Sequence, residues 1–529
     1  MTFISKFNLP YFINLFNEMP IKKMMKTIVI FYDDPNSQKY SENKAFAGKS
    51  ARELSQNWAE KLNLPYFYVK SSSLLELLQD ISRICTENQA ENAAFTYSDL
   101  PFLNEALSQK VIDSHIKYKS EYTFSDGYPY GFAPELLNVG TAKILASLAE
   151  NQQKELGEKP VTRDGLYNLI KTDINSFDVE TVIADFDYRL YRLAFHCGTK
   201  DNFLQCKALA DSFAENISTS DVEKLSQTAI KNPACLKTVP GFYNIQISGK
   251  ISYDAVYSPY PEEAKKHPCG EMSYSQYENL VEKIADFSEK AVISLSAFGE
   301  ALANPDFLKI VEKTLSYDGL SVFVETDGLF VTEDICRQLA TISEKAKERT
   351  NGWPKIMIAV ALDAFTEQTY QKLHKNAPEG SFNRAVEAIK LLSAALPGNV
   401  YPQFVRMNEN EAELEAFYRY WNEKSNASNG NLIIQKYDDF AGSLPPCKPA
   451  DLSPLVREPC WHLRRDMTIL SNGDVPLCHS HIFNEIQGNV FKDSLESIWK
   501  KTDSCLQEHI NCRYCGKCEK CDEWYTFNF

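Results

Sequence analysis

Residues 460–521 read CWHLRRDMTILSNGDVPLCHSHIFNEIQGNVFKDSLESIWKKTDSCLQEHINCRYCGKCEKC, and seven of the chain's fourteen cysteines fall within them. Cys460 is followed by twelve residues, Gly473, four more residues and Cys478. Cys512, Cys515, Cys518 and Cys521 then repeat CxxC spacing in three overlapping registers. A CxxC turn aims two thiolates at one point, and the Asn472-Gly473 pair folds a hairpin that can present Cys478 beside them. Soft thiolates gathered in this way select an iron–sulfur cluster or zinc. A disulfide framework would require an exporting signal.

These features resemble the SPASM domain, the auxiliary-cluster module that follows the barrel of many radical S-adenosylmethionine (SAM) enzymes. The resemblance rests on Cys460, Asn472-Gly473-Asp474-Val475, Cys478, Gly488-Asn489-Val490, the helix Ser494-Leu495-Glu496-Ser497-Ile498-Trp499 and the terminal CxxC. It implies that Cys460, Cys478 and one CxxC pair hold a single [4Fe–4S] cluster. Cys512 and Cys515 are favoured for that pair. The registers through Cys518 and Cys521 stay open, as does a structural zinc knot.

A chain of 529 residues exceeds one core and predicts about three domains. A net charge of −15 argues against broad contact with nucleic acid or an anionic membrane. No apolar run reaches the 18 or so residues that span a bilayer. The first residues, MTFISKFNLPYFINLFNEMPIKKMM, are interrupted by Asn8, Asn14, Asn17 and Glu18 and lead to no small-residue cleavage site. A start at Met24 or Met25 reads equally well, and a cytoplasmic protein is expected.

Residues 25–230 alternate strand and helix signals. Lys26 to Tyr32 is an apolar, β-branched run, Leu54, Trp58 and Leu62 are spaced as a helix, and Tyr66–Lys70, Leu74–Ile84 and Ala93–Tyr97 continue the pattern. The expectation is a doubly wound α/β domain. Asp99-Leu100-Pro101-Phe102, Tyr122-Thr123, Tyr128-Pro129-Tyr130-Gly131 and Pro134-Glu135-Leu136-Leu137 resemble the cytidylyltransferase-like nucleotidyltransferases of surface-polysaccharide synthesis. Tyr188 to Phe203 is similar to that family's last strand and helix. In the family an Arg-rich loop grips the triphosphate. Here the loop is Asp33-Asp34-Pro35-Asn36-Ser37-Gln38-Lys39, with carboxylates where cations belong. Asp99 is a candidate metal ligand or a structural turn residue.

Residues 238–445 carry six strand-like runs, Phe242–Ser248, Val292–Ser296, Leu320–Val324, Ile356–Ala361, Tyr401–Val405 and Leu432–Gln435, separated by helical patterns. This predicts a partial (βα)6 barrel, so the fold class is α/β throughout, closed by a small cysteine-rich domain at 455–529. The region resembles the radical SAM core. Ala297-Phe298-Gly299-Glu300-Ala301 stands for that family's GGEP loop, Thr326-Asp327-Gly328 for its TNG loop and Ala361-Leu362-Asp363 for its S-x-D strand end. The resemblance implies that Gly299, Glu300, Thr326, Asp327 and Gly328 are the residues that would hold SAM.

The family's CxxxCxxC triplet is absent. Its thiolates are replaced by Lys250, Asp254 and Tyr257, or by Gly249, Tyr253 and Val256 in the adjacent register. Cys269 is the only cysteine between Cys235 and Cys336. A barrel without its triplet and with an intact tail resembles the spiro-SPASM family, supported by Asp451-Leu452-Ser453-Pro454 and Arg457-Glu458-Pro459-Cys460-Trp461-His462. The favoured reading is an iron–sulfur protein that binds a peptide, protein or small molecule in its barrel, or passes electrons to a partner, without cleaving SAM. An active radical enzyme and a working nucleotidyltransferase are the alternatives, and no residue is assigned as catalytic. His479 and His481 are read as donors to cluster sulfur, and Asp438-Asp439 as a loop at the barrel's end.

Overall fold

The computed structural model describes residues 26–213, 220–514 and 516–526, the side chains of residues 155 and 156 excepted. Met24, Met25 and Cys515 lie outside the described residues. No described helix is long and apolar enough to cross a membrane. The chain divides into two compact units. One contains the described residues to Pro35 with Ser50–Asp185, and the other contains Asn36–Lys49 with the described residues from Phe186 onward.

The first unit is built on strands β1 (Thr27–Tyr32), β2 (Tyr66–Val69), β3 (Asn92–Tyr97), β4 (Tyr122–Asp126), β5 (Glu135–Asn138) and β6 (Val179–Ile183), in sheet order β2-β1-β3-β5-β4-β6. β1 runs parallel to both neighbours and is buried along its whole length, as a central strand covered on both faces must be. Helix Leu74–Glu87 packs Leu77, Leu78 and Ile81 inward, and Ser73 caps it by accepting from the Glu76 N–H. β5 is antiparallel to β3 and β4. Only residues 127–134 join it to β4, too few for a crossover helix, so the chain turns back. The last strand is Val179–Ile183. Tyr188 onward, expected as that strand, forms a 3-10 turn at Arg189–Tyr191 and belongs to the second unit.

Both carboxylates singled out in this unit are already engaged. Asp33 accepts from Ser98 Oγ at 2.9 Å and pairs with Arg52 and, at 3.5 Å, Lys70. Burial alone would raise its pKa, but the bonds from Arg52 and Ser98 hold it below the usual carboxylate range. Asp99 is 1% exposed and takes both arms of Arg163, at 2.7 and 3.2 Å. Such a bidentate pair occupies the oxygens a metal would need.

The second unit carries β7 (Phe242–Ile245), β8 (Asp254–Ala255), β9 (Ala291–Ser294), β10 (Leu320–Thr326), β11 (Ile356–Ala361), β12 (His374–Lys375), β13 (Val400–Arg406), β14 (Ile433–Lys436), β15 (Asp466–Ile469), β16 (Asp474–Pro476) and β17 (Ile486–Asn489). Its main sheet is a curled parallel half-barrel in the order β14-β13-β11-β10-β9-β7-β15. Six of those strands are the six apolar runs of residues 238–445. The seventh, β15, comes from the cysteine-rich tail and lies parallel to β7, Asp466 beside Phe242 and Ile469 beside Ile245. Met467, Ile469, Val475, Val490, Ile498 and Trp499 of the tail therefore pack in the same core as Ile293, Val322, Ile358 and Phe404 of the barrel. Burying each such side chain contributes about 1.5–3 kcal/mol. In this unit Lys39, the one cation of the expected phosphate loop, pairs with Glu289 at 2.8 Å.

With Arg52 and Lys70 committed to Asp33, Arg163 to Asp99 and Lys39 to Glu289, the chain is expected to bind CTP and other nucleoside triphosphates weakly or not at all. Tight, magnesium-dependent binding in calorimetry would show that Lys44 and Lys49 supply a phosphate grip.

Candidate functional site

The half-barrel encloses a cavity of about 730 Å³. Every strand of the main sheet contributes to its wall, with Asn244, Ser294, Glu325, Gln403 and Thr468 among the polar side chains that line it. These groups satisfy one another across strands. Ser294 Oγ donates to Asn244 at 3.0 Å, and Gln403 Nε2 donates to Glu325 at 2.7 Å. Rings of Tyr253, Tyr257, Phe298 and Trp353 cover the apolar part.

Four of the five residues expected to hold SAM, Gly299, Glu300, Thr326 and Asp327, line this cavity. Gly299 has φ +86°, and a Cβ there would stand 2.3 Å from the Ser248 carbonyl oxygen. Glu300 is 4% exposed and accepts from Leu302 N at 3.0 Å, Thr326 Oγ1 at 2.9 Å and Asp327 N at 2.9 Å. Its carboxylate thus ties the loop after β9 to the loop after β10. Gly328 does not reach the cavity. A Cβ there would meet Ala388 and Ala385, so this glycine serves the close approach of helix Ser381–Ala395.

The three replacements for the missing thiolates separate. Lys250 points to Glu271 at 2.5 Å, and Asp254 accepts from Asn376 Nδ2 at 2.8 Å within the short antiparallel pair of β8 and β12. Tyr257 OH donates to Asp363 Oδ2 at 2.7 Å, and His374 Nε2 stands 3.1 Å from the same oxygen. Asp363 is fully buried at φ +57° and also accepts from Val405 N at 2.6 Å. The Tyr253 ring lies 4.4 Å from the His374 ring and the Tyr370 ring 4.1 Å from it. Burial pushes the Tyr253 and Tyr257 hydroxyls far above the ordinary tyrosine range. Cys269 does come to this segment, against Gly249, but one thiol holds no cubane.

A second, smaller cavity lies in the tail, with Cys460, Cys478, Cys518 and Cys521 in its wall. Cys460 is brought there by the helix Trp461–Arg465 that leads into β15, and Cys478 by the tight turn at Leu470–Asp474 that leads into β16. Gly473 makes that turn at φ +87°, where a Cβ would collide with Phe491 at 2.4 Å. Cys512, one of the favoured pair, is exposed and outside the cavity wall, whereas Cys518 and Cys521 are in it. Burial raises the Cys460 thiol to about 12 and pushes Cys478 and Cys521 higher still. Cys518 is lowered, by a hydrogen bond from Cys505 and then by His509 against the effect of burial. Cys505 and His509 carry no sequence motif. Their i, i+4 spacing on one helix was the available signal.

Two histidines stand in the walls of both cavities. His462 Nδ1 lies 2.6 Å from Asp466, and His479 Nε2 donates to Asp438 at 3.1 Å, their rings 5.3 Å apart. Asp438, read from sequence as part of a loop, therefore docks that loop onto the tail. His481 Nδ1 stands 3.1 Å from Cys478 Sγ.

Residues 460–522 match the SPASM model, an iron–sulfur cluster-binding domain. An uncharacterized protein of Treponema pallidum (strain Nichols) is 39% identical over 370 residues, 69% of this chain and 98% of that protein. Among solved structures, BtrN in complex with AdoMet and 2-DOIA is 16% identical with a TM-score of 0.35, over 54% of this chain and 94% of its own. Streptococcus suis SuiB bound to precursor peptide SuiA is 15% identical with a TM-score of 0.39, over 59% and 78%. Scores this low carry no functional inference.

Burial and the neighbouring Asp327 raise Glu300 from 4.5 to about 8. The folded chain keeps this proton between those values while the unfolded chain releases it, so stability falls as pH rises through that window. Glu300→Gln, a mimic of the protonated acid, is expected to match the wild type near pH 5 and exceed it above pH 8 in chemical denaturation. A wild-type advantage at high pH would show that the carboxylate is held ionised.

Proposed function

We propose that this chain, which belongs to one family with the Treponema pallidum protein that it matches over 98% of that protein's length, is an iron–sulfur protein that receives a ligand in its half-barrel and does not cleave SAM. The observation that carries the proposal is the convergence of Cys460, Cys478, Cys518 and Cys521 on one cavity, separated from the lumen by His462 and His479. Four thiolates in one place fit the donor set of a [4Fe–4S] cluster, and those four residues would hold it. When bound, such a cluster supplies one-electron transfer.

The protein's own groups do the rest. His462 and His479 are each fixed by a carboxylate, Asp466 and Asp438, which orients the rings between the lumen and the thiols. The lumen is large enough for a small molecule or a peptide side chain. After β7, the position of a SAM-reducing triplet is taken by Lys250, Asp254 and Tyr257. A hard phenol oxygen and a carboxylate match cluster iron poorly, and here both are committed to Asp363 and Asn376. The N-terminal unit is assigned the role of a nucleotidyltransferase-like scaffold without triphosphate chemistry.

Anaerobically purified protein is expected to hold about four iron and four sulfide, lost in Cys460→Ala and Cys478→Ala and retained in Cys512→Ala and Cys269→Ala. Zinc without sulfide would replace the cluster with a zinc knot. With dithionite and SAM the protein is expected to form no 5′-deoxyadenosine above the no-protein control. Turnover that disappears in Cys478→Ala would make the tail cluster a radical-generating centre and overturn the proposal.

A further inference from the structure

The tail holds more soft donors than one cubane uses. Cys460, Cys478, Cys518 and Cys521 line the cavity, which closes the coordination of four irons, while Cys505 is not in that wall. Cys505 and His509 lie four residues apart on the helix Asp503–Ile510, so they share one face. Their donor atoms and the Cys518 sulfur all lie within 4.8 Å of one another. Bonds of about 2.3 Å to sulfur and 2.0–2.1 Å to nitrogen in a tetrahedral zinc site place donors roughly 3.3–3.8 Å apart. A contraction of about an ångström would therefore bring the three donors onto one ion.

The histidine gives an independent indication. His509 is 2% exposed, and its Nε2 makes no hydrogen bond of good geometry, although the ring stands close enough to Cys518 to lower that thiol. Nδ1 accepts from the Cys460 N–H at 3.4 Å, a long bond that gives way when Nε2 sheds its proton to take a metal. A buried polar atom is ordinarily satisfied, and one that is not calls for a ligand. Its surroundings are thiols, which suit a thiophilic cation and no anion.

We propose that Cys505, His509 and Cys518 form a second metal position in the tail, taking one thiophilic divalent ion such as Zn²⁺, with the Cys518 thiolate shared between that ion and the cluster. This rests on the cluster reading above. Three protein donors leave the fourth tetrahedral position open, as in zinc sites that keep an exchangeable ligand. The site thus differs from the closed four-thiolate set beside it.

The test is metal analysis of the full chain, reconstituted anaerobically with iron and sulfide, incubated with Zn²⁺ and freed of excess metal. About four iron, four sulfide and one zinc are expected. Cys505→Ser and His509→Gln should each lose the zinc, with at least roughly tenfold weaker retention, and keep iron and sulfide. Iron and sulfide without stoichiometric zinc in the wild type would overturn the proposal. So would loss of iron and sulfide in Cys505→Ser, which would make Cys505 a cluster ligand. If the wild type holds zinc and no sulfide, the cluster reading fails by itself. Two zinc ions per chain, one of them lost in the two variants, would then still support the second position, and a zinc content indifferent to both variants would refute it.

Discussion

The pairing of β15 with β7 is the contact on which the functional half of this molecule depends. Four residues of the tail, Asp466–Ile469, extend the barrel's sheet in parallel register, and the nearest cysteines before and after them in sequence are Cys460 and Cys478. Because sheet hydrogen bonds fix register to a residue, the cysteines are placed by the barrel and not by the tail's own small core. The tail hydrophobics then complete the burial, with Met467 and Ile469 fully inside the barrel's core. Slipping β15 by one residue would turn those two side chains into the lumen and bring Asp466 and Thr468 against the apolar layer. A metal-binding module attached in this manner is an edge of the barrel, and its histidines become part of the barrel's inner wall.

The lumen wall has two unlike stretches. At one, His462 and His479 separate it from a set of thiols. At the other, the segment after β7 is packed with Tyr253, Tyr257, Tyr370 and His374 around the buried carboxylate of Asp363. The aromatic rings pack around a carboxylate that takes the Tyr257 hydroxyl and the Val405 N–H. The ring stretch offers Asp363, which is committed to Tyr257 and His374, whereas the histidine stretch has an oriented imidazole pair beside four thiols.

The sequence showed the six barrel strands because a parallel strand covered on both faces is a continuous apolar run, and each such run is a strand in the structure. β15 escaped notice because DMTI is too short to read as a strand beside a cysteine motif that explains the stretch in another way. β5 escaped because antiparallel return depends on the length of the connection, not on the strand's residues. The register of the terminal CxxC repeats was undecidable locally, since all three turns are chemically alike. What distinguishes them is tertiary: Cys512 sits exposed at φ +56°, while Cys518 is buried against Cys505 and His509. Asp33 and Arg52, or Asp99 and Arg163, are similarly invisible as pairs until the sheet folds.

The residues that resemble SAM-binding loops have packing roles in this fold. Gly299 is required because the Ser248 carbonyl leaves no room for a side chain, and Gly328 because a helix passes against it. Glu300 accepts three hydrogen bonds that join two loops, and hydrogen bonds between neutral groups are each worth about 0.5–1.5 kcal/mol. Thr326 supplies one of those donors and in turn accepts from the Gly328 N–H. Every member of the motif except Asp327 thus has a task that needs no ligand, and Asp327 itself uses one oxygen to hold Leu329 N at 2.7 Å. The presence of Gly-Glu and Thr-Asp-Gly in this chain follows from the architecture of a half-barrel whose strand-end loops must be tied together. A SAM site is not needed to account for it, and the functional weight moves to the thiols and imidazoles that β15 brings to the lumen.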